Sequence, residues 1–255
     1  MAPKRNALIA ATALFAFTAP ALAADDHGAH WTYGGSAGPG NWGKLKPEYS
    51  TCGAGVQQSP VDIAVSHSID ADLSEIEFFY RPTNLNVLNN GHTIQANYGE
   101  GSTITVNGDN YELLQFHFHT PSEHTLNGEA YDMEVHLVHK NAEGKLAVVG
   151  IFMEEGSANN ALEPVWQNMP AKADITNKVA SIKINGADLL PNDSSEYFHY
   201  KGSLTTPPCT ESVSWYVLKT PTQVSAEQIE AFASLVQENA RPTQPLHRRF
   251  VLGAE

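Results

Sequence analysis

The sequence predicts a mainly β (α+β) fold. It is a single domain built on a large, mostly antiparallel, twisted central sheet with a few short surface helices. Three observations carry this. Short apolar and β-branched runs recur from about Leu85 to Leu218, each bounded by turn residues. Helical periodicity is confined to short stretches late in the chain. No internal repeat, low-complexity tract or linker divides the 255 residues.

The elements follow in order. Lys4 and Arg5 precede an uncharged run from Ala7 to Phe17, and Ala21-Leu22-Ala23 has the small-x-small form of a cleavage site. This predicts a signal peptide over residues 1–23, a domain over 24–255, and a periplasmic or secreted protein. The apolar run is shorter than the roughly 20 residues a membrane span needs, so no membrane anchor is expected after cleavage. Ala24 to Gly43, rich in Gly and aromatic residues, reads as an irregular lead-in. Thr103–Val106 runs into Asn107-Gly108-Asp109, a hairpin signal. Strand-like runs follow over Tyr111–His119, Tyr131–Lys140 and Leu146–Met153, with Ala142-Glu143-Gly144 between the last two. The pattern predicts antiparallel neighbours, and Ser212–Leu218 is another such run. Ser225-Ala226-Glu227-Gln228 has capping-box spacing, and Ile229, Phe232, Ala233 and Val236 continue it on one helical face. Asn159–Met169 is a shorter helical candidate.

The formal net charge of −13 argues against nucleic acid and anionic membranes as partners. Export would put Cys52 and Cys209 in an oxidising compartment, where an even count favours a disulfide over buried thiols or half of a metal site.

The chemistry concentrates in Gln115-Phe116-His117-Phe118-His119. Side chains alternate faces along a strand, so His117 and His119 share one face and the phenylalanines the other. Such a pair is weak by itself. A third imidazole, His136, lies in the next strand-like run within Glu134-Val135-His136-Leu137-Val138. Three histidines leave the fourth tetrahedral position of Zn2+ open, the pattern of a catalytic site. By the same parity Gln115 faces with His117 and His119, and Glu134 with His136. Metal-bound imidazoles give their other N–H to such groups. His139, of opposite parity, reads as a hydrogen-bonded core or surface residue. His27, His30, His67, His124 and His199 take the same ordinary reading.

These segments resemble the alpha carbonic anhydrases. Gln115–His119 is similar to that family's metal strand, His119-Thr120-Pro121-Ser122-Glu123-His124 to its bacterial continuation, and Glu134–His139 to the third-ligand strand. Ser203-Leu204-Thr205-Thr206-Pro207-Pro208 resembles the catalytic loop. Gln58–Ile63 and Arg241–Leu246 match flanking motifs, so the resemblance runs from about Trp31 to Arg249. Many members carry a bulky residue where Thr120-Pro121 stands.

The resemblance implies reversible hydration of carbon dioxide to bicarbonate and a proton, by attack of a zinc-held hydroxide on CO2. It implies His117, His119 and His136 as zinc ligands, with Gln115, Glu134 and Asn239 behind them. Thr205 would accept a hydrogen bond from the hydroxide while donating its one proton to Glu123, which when ionised can only accept. The Thr205 N–H and the Thr206 side chain would contact bicarbonate. Val138, Val148, Leu204, Val213 and Trp215 would form an apolar wall for carbon dioxide. His92 would be an exposed proton shuttle titrating near neutrality, with Tyr33, Asn90 and Gln95 ordering the waters. The resemblance also implies a Cys52–Cys209 bridge bracing the catalytic loop and a cis peptide at Pro208. A homodimer is left open.

Two other classes are weighed. A metal-binding relative without activity would typically lack a ligand histidine, and all three positions are present. A copper–zinc superoxide dismutase is also exported, β-rich and disulfide-bonded, but needs an aspartate ligand and more clustered histidines.

Overall fold

The computed structural model describes residues 30–253. The expected signal segment, residues 24–29 and His27 lie outside them. The strands in chain order are β1 (Asp62–Ile63), β2 (Ile69–Asp70), β3 (Glu77–Phe79), β4 (Thr83–Asn89), β5 (Ile94–Asn97), β6 (Thr103–Val106), β7 (Asp109–His119), β8 (Thr125–Leu126), β9 (Glu129–Ala130), β10 (Met133–Lys140), β11 (Leu146–Glu155), β12 (Ile175–Ile184), β13 (Tyr197–Ser203), β14 (Glu211–Val224) and β15 (Leu252–Gly253). The α-helices are α1 (Trp42–Leu45), α2 (Thr51–Ala54), α3 (Glu163–Trp166) and α4 (Ala226–Val236).

Twelve strands make one sheet, in the order β12-β4-β5-β7-β10-β11-β14-β13-β15-β2, with β3 on β6 and β6 on β7. The β6–β7 hairpin forms as expected. Val106 pairs with Asp109, and Asn107 and Gly108 have φ of 53° and 80°. Both central residues of a two-residue hairpin turn need this left-handed backbone, which Asn tolerates and Gly adopts freely. β7–β10 and β10–β11 are antiparallel, also as expected.

The pairing of β11 with β14 is parallel. The chain between them passes through α3, β12 and β13, so β14 arrives beside β11 in the same direction. β11 is buried along most of its length and β14 from Val213 to Leu218, on both faces, the environment in which parallel pairing is common. The candidate helix over Asn159–Met169 is a single α turn, α3.

Two apolar clusters flank the sheet. The larger includes Phe116, Phe118, Val135 and Leu137, together with Phe232 of α4. Phe118 meets Trp166 edge-on at 4.8 Å and Phe232 at 6.2 Å. Full burial of a side chain such as Phe232 stabilises by about 2–3 kcal/mol. The smaller cluster contains Val148, Val213, Trp215 and Tyr200. With phenylalanines packed behind β7, its other face is free to carry imidazoles. Among the described residues no helix is long and apolar enough to cross a membrane.

Candidate metal centre and active site

Strand register assembles the imidazole cluster. His136 on β10 stands directly opposite His117 on β7, and Glu134 opposite His119. The three rings have centroids 4.6–5.3 Å apart, and one nitrogen from each lies within 4.8 Å of the others.

The remaining nitrogens are held from behind. His117 Nδ1 lies 2.9 Å from Gln115 Oε1, and His119 Nδ1 donates to the Asn239 carbonyl at 2.8 Å. His136 Nε2 lies 2.9 Å from Glu134 Oε1, close but poorly aligned for a hydrogen bond. Asn239 thus acts through its backbone. Its side chain accepts from the Thr120 N–H and donates to the Phe118 and His92 carbonyls.

Burial holds all three imidazoles below their ordinary pKa. His119 falls to about 4, and His117 falls well below 6.5 through burial and then the neighbouring His119 and His136. Neutral imidazole is the form that binds a metal. His119 Nε2 is buried with no hydrogen-bond partner, a costly arrangement for a polar atom unless something else meets it. Three convergent neutral imidazoles with one such orphaned nitrogen fit zinc, which takes nitrogen donors and can keep a position open.

Glu134 is fully buried and accepts from the Glu123 and His124 N–H groups at 2.9 Å and from His124 Nδ1 at 2.8 Å. Burial alone would raise its pKa, but His124 and His136 hold it well below the usual carboxylate range. A Cβ at Gly150 would come within 2.8 Å of Glu134 Oε1, so only glycine leaves room for this carboxylate. His124 Nε2 continues to the Tyr200 hydroxyl at 2.6 Å, which meets Ser59 Oγ at 2.9 Å. Ser59 Oγ in turn accepts from the Ser203 N–H at 3.0 Å. This chain ties the imidazole cluster to the start of the 203–209 loop. Sequence reading gave His124 only an ordinary role; its place after Glu123, with a buried acid due on the next strand, was the available signal.

Glu123 is buried too. Its Oε1 accepts from the Arg241 N–H at 2.9 Å, and its Oε2 lies 3.4 Å from His119 Nε2 without an aligned partner. Burial pushes it up to about 7, opposed first by the neighbouring His136 and then by the nearby Thr205 side chain.

A cavity of about 160 Å³ opens on the cluster. Its lining brings together His117, His119, His136, Val138, Val148, Leu204, Thr205, Thr206, Trp215, Tyr33, Asn90, His92, Gln95 and Gln115. Val138, Val148 and Trp215 sit side by side across β10, β11 and β14. Val213 is buried in the cluster with Val148 and Trp215 but is not part of the lining, so the expected wall is one residue smaller. Glu123 also lies behind the lining.

His92 departs from the expectation of an exposed ring. It is half-buried, stacked on Trp31 with centroids 3.6 Å apart and planes 11° from parallel. Burial, then the charge of His30, lower its pKa to about 4. Trp31, which also lines the cavity, was not singled out from the sequence; the aromatic-rich lead-in was its only signal. Asn90 Oδ1 fixes the turn by accepting from the His92 and Thr93 N–H groups at 2.9 Å, and Gln95 Nε2 donates to Asn97 Oδ1 at 2.7 Å.

Cys52 and Cys209 form a disulfide with an S–S distance of 2.09 Å. Gln58 Nε2 donates to the Cys209 carbonyl and Arg241 to the Cys52 carbonyl. The Pro207–Pro208 peptide is cis, as are those before Pro60 and Pro121.

Comparison with known proteins places this geometry. The sequence profile described as eukaryotic-type carbonic anhydrase matches residues 37–254. A carbonic anhydrase from Neisseria gonorrhoeae is 41% identical over 256 residues, covering 98% of each chain. One from Nostoc sp. is 42% identical over 88% of this chain and 86% of its own. The solved alpha-carbonic anhydrase from Thermovibrio ammonificans, in complex with the inhibitor sulfanilamide, superposes with a TM-score of 0.85 at 43% identity, over 88% of this chain and 99% of its own. The chain therefore belongs to the eukaryotic-type, or alpha, carbonic anhydrase family, lyases that hydrate carbon dioxide.

Proposed function

We propose that this chain is a zinc-dependent carbonic anhydrase in which His117, His119 and His136 hold the ion and His92 carries the proton out. The observation that carries the reading is the convergence of three neutral imidazole nitrogens within 4.8 Å, in a cavity lined by both apolar and polar side chains. Zinc there supplies the Lewis acidity that makes water a nucleophile near neutral pH, a chemistry for which carbonic anhydrases are the standard case.

The chain's own residues do the rest. Gln115 and the Asn239 carbonyl hold the His117 and His119 rings in one orientation, and Glu134 stands beside the His136 ring. Thr205 would give its proton to Glu123, which leaves its own oxygen as an acceptor able to orient a nucleophilic water in the cavity. That role requires ionised Glu123, which positive charge at the imidazole cluster favours. Carbon dioxide is apolar, and Val138, Val148, Leu204 and Trp215 offer it a surface on which water binds poorly. The Thr205 N–H and Thr206 Oγ1 receive bicarbonate.

The released proton passes through waters ordered by Tyr33, Asn90 and Gln95 to His92. Burial and then the charge of His30 lower the His92 pKa to about 4, so it accepts a proton less readily than free imidazole. Residues 1–23 act as an export signal and 24–255 as the working enzyme, consistent with a disulfide that forms and persists in an oxidising compartment.

The test joins metal content to rate. The purified protein is expected to carry about one zinc per chain and to hydrate carbon dioxide in a stopped-flow assay. His119→Ala is expected to lose both. Wild-type zinc stoichiometry in that variant after dialysis would falsify the ligand assignment.

A further inference from the structure

We propose that the Lys201 amine is a modification site for carbon dioxide, which it takes up as a reversible carbamate on the sheet face away from the imidazole cluster. The proposal goes beyond the zinc reading and does not depend on it. Across β13 and β14, Lys201 pairs with Ser214 and Tyr200 with Trp215. Side chains alternate faces along a strand, and Trp215 lines the imidazole cavity, so Lys201 and Ser214 lie on the opposite face. Lys201 Nζ donates to Ser214 Oγ at 2.6 Å, and the serine is buried, so an amine on a long flexible stem is held in one place at the surface. A hydroxyl both accepts and donates, so Ser214 serves the ammonium and a carbamate oxygen alike.

The charged groups around this amine are Lys145 just before β11, Asp109 at the start of β7, and Arg249, which donates to the Lys201 carbonyl at 3.0 Å. Burial and then Lys145 lower the pKa of the amine, and Asp109 opposes them. A lysine beside another cation is the kind that serves as a nucleophile, because only the neutral amine has a lone pair to give. That pair forms an N–C bond to the carbon of CO2, one C–O π pair moves onto oxygen, and the nitrogen gives a proton to buffer. The side chain passes from positive to negative. Burial disfavours either charged form, whereas Lys145 favours the product twice, by repelling the ammonium and by attracting the carbamate. Lys219 is the contrast: Glu196 Oε2 lies 3.1 Å from its Nζ, a charge that holds the ammonium and repels a carbamate. β13 ends at Ser203, so the sign of a side chain close to the 203–209 loop follows the supply of carbon dioxide.

The test equilibrates the purified protein with isotopically labelled carbon dioxide and bicarbonate in mildly alkaline buffer, fixes carbamates by ethylation with a trialkyloxonium salt, and reads the mass label lysine by lysine. Lys201 is expected to carry roughly 3-fold more label than Lys219, or above that. Lys145→Gln is expected to cut the Lys201 label by about half or more, because a repelling charge and a counter-ion go together, and Asp109→Asn to raise it. Label on Lys201 no higher than on Lys219, or undiminished in Lys145→Gln, overturns the proposal. His119→Ala is expected to label as wild type does, because this step uses no zinc. Failure of the hydration reading shows separately, as zinc retained by that variant.

Discussion

Glu134 has no contact with solvent, and its neighbours explain how it stays ionised there. It accepts from two backbone N–H groups and from His124, with His136 beside it. Glu134→Ala would strand these donors and costs about 3–5 kcal/mol of stability. Glu134→Gln keeps the shape but supplies an N–H where an acceptor is needed. We expect that variant to fold and to bind zinc about 10–100-fold more weakly, read by competition with a chelator of known affinity. His139 makes a second case. It is buried between the Tyr80 hydroxyl at 2.7 Å and the Ala147 carbonyl at 3.2 Å, and burial lowers its pKa to about 3. The neutral ring is the native one, and the unfolded chain titrates near 6.5. Its stabilising contribution is thus complete above 6.5 and is lost as pH falls from there toward 3, by a few kcal/mol. His139→Leu should make the denaturation midpoint fall less than wild type between pH 7 and pH 4; parallel curves would remove His139 as a cause of acid sensitivity. Parity along β7 and β10 made Gln115 and Glu134 legible in the sequence, but left His139 between a core and a surface place, and the pairing shifts register between Val138 and His139. The surroundings of His92 were not legible, because Trp31 comes from a segment with no period to read.

At the scale of elements, the strand pair β7–β10 delivers two imidazoles from one strand and one from the next, in a register that sets His117 against His136. Helix α4 seals the opposite face. Its capping box forms in full: Ser225 Oγ accepts from the Gln228 N–H, and Gln228 Oε1 accepts from the Ser225 N–H. The same Gln228 side chain also bonds the Asn159 backbone in both directions, fastening the helix to the segment before α3. Ser225→Ala is therefore expected to cost about 1 kcal/mol in urea denaturation, with hydration activity unchanged. A cost above about 3 kcal/mol would mean that the serine does more than cap. The hairpin at Asn107-Gly108 and this capping box were legible because each is decided by residues a few positions apart. The parallel partnership of β11 and β14 was not: runs buried on both faces read alike in either direction, and the crossover spans more than fifty residues.

At the scale of the molecule, the site is closed by segments far apart in sequence. The disulfide joins residues 157 apart, linking α2 to the loop that carries Thr205 and Thr206. Arg241 spans the same junction, donating to the Gln58 side chain and the Ser59 and Cys52 carbonyls while its guanidinium sits over Trp42 at 5.5 Å. Constraining so long a loop removes entropy from the unfolded chain worth about 5 kcal/mol in the chain-entropy picture. The bridge and the proposed metal site can be separated experimentally, since none of the three clustered imidazoles lies between β13 and Cys209. Cys52→Ser/Cys209→Ser is expected to keep its zinc under native conditions and to unfold at markedly lower denaturant. Its kcat/KM should fall, because Thr205 is then held by a looser loop and the geometry at the reacting carbon is less often correct. Zinc content, denaturation midpoint and kcat/KM measured on one preparation decide it: loss of metal together with activity would show that the bridge supports the whole domain rather than the loop.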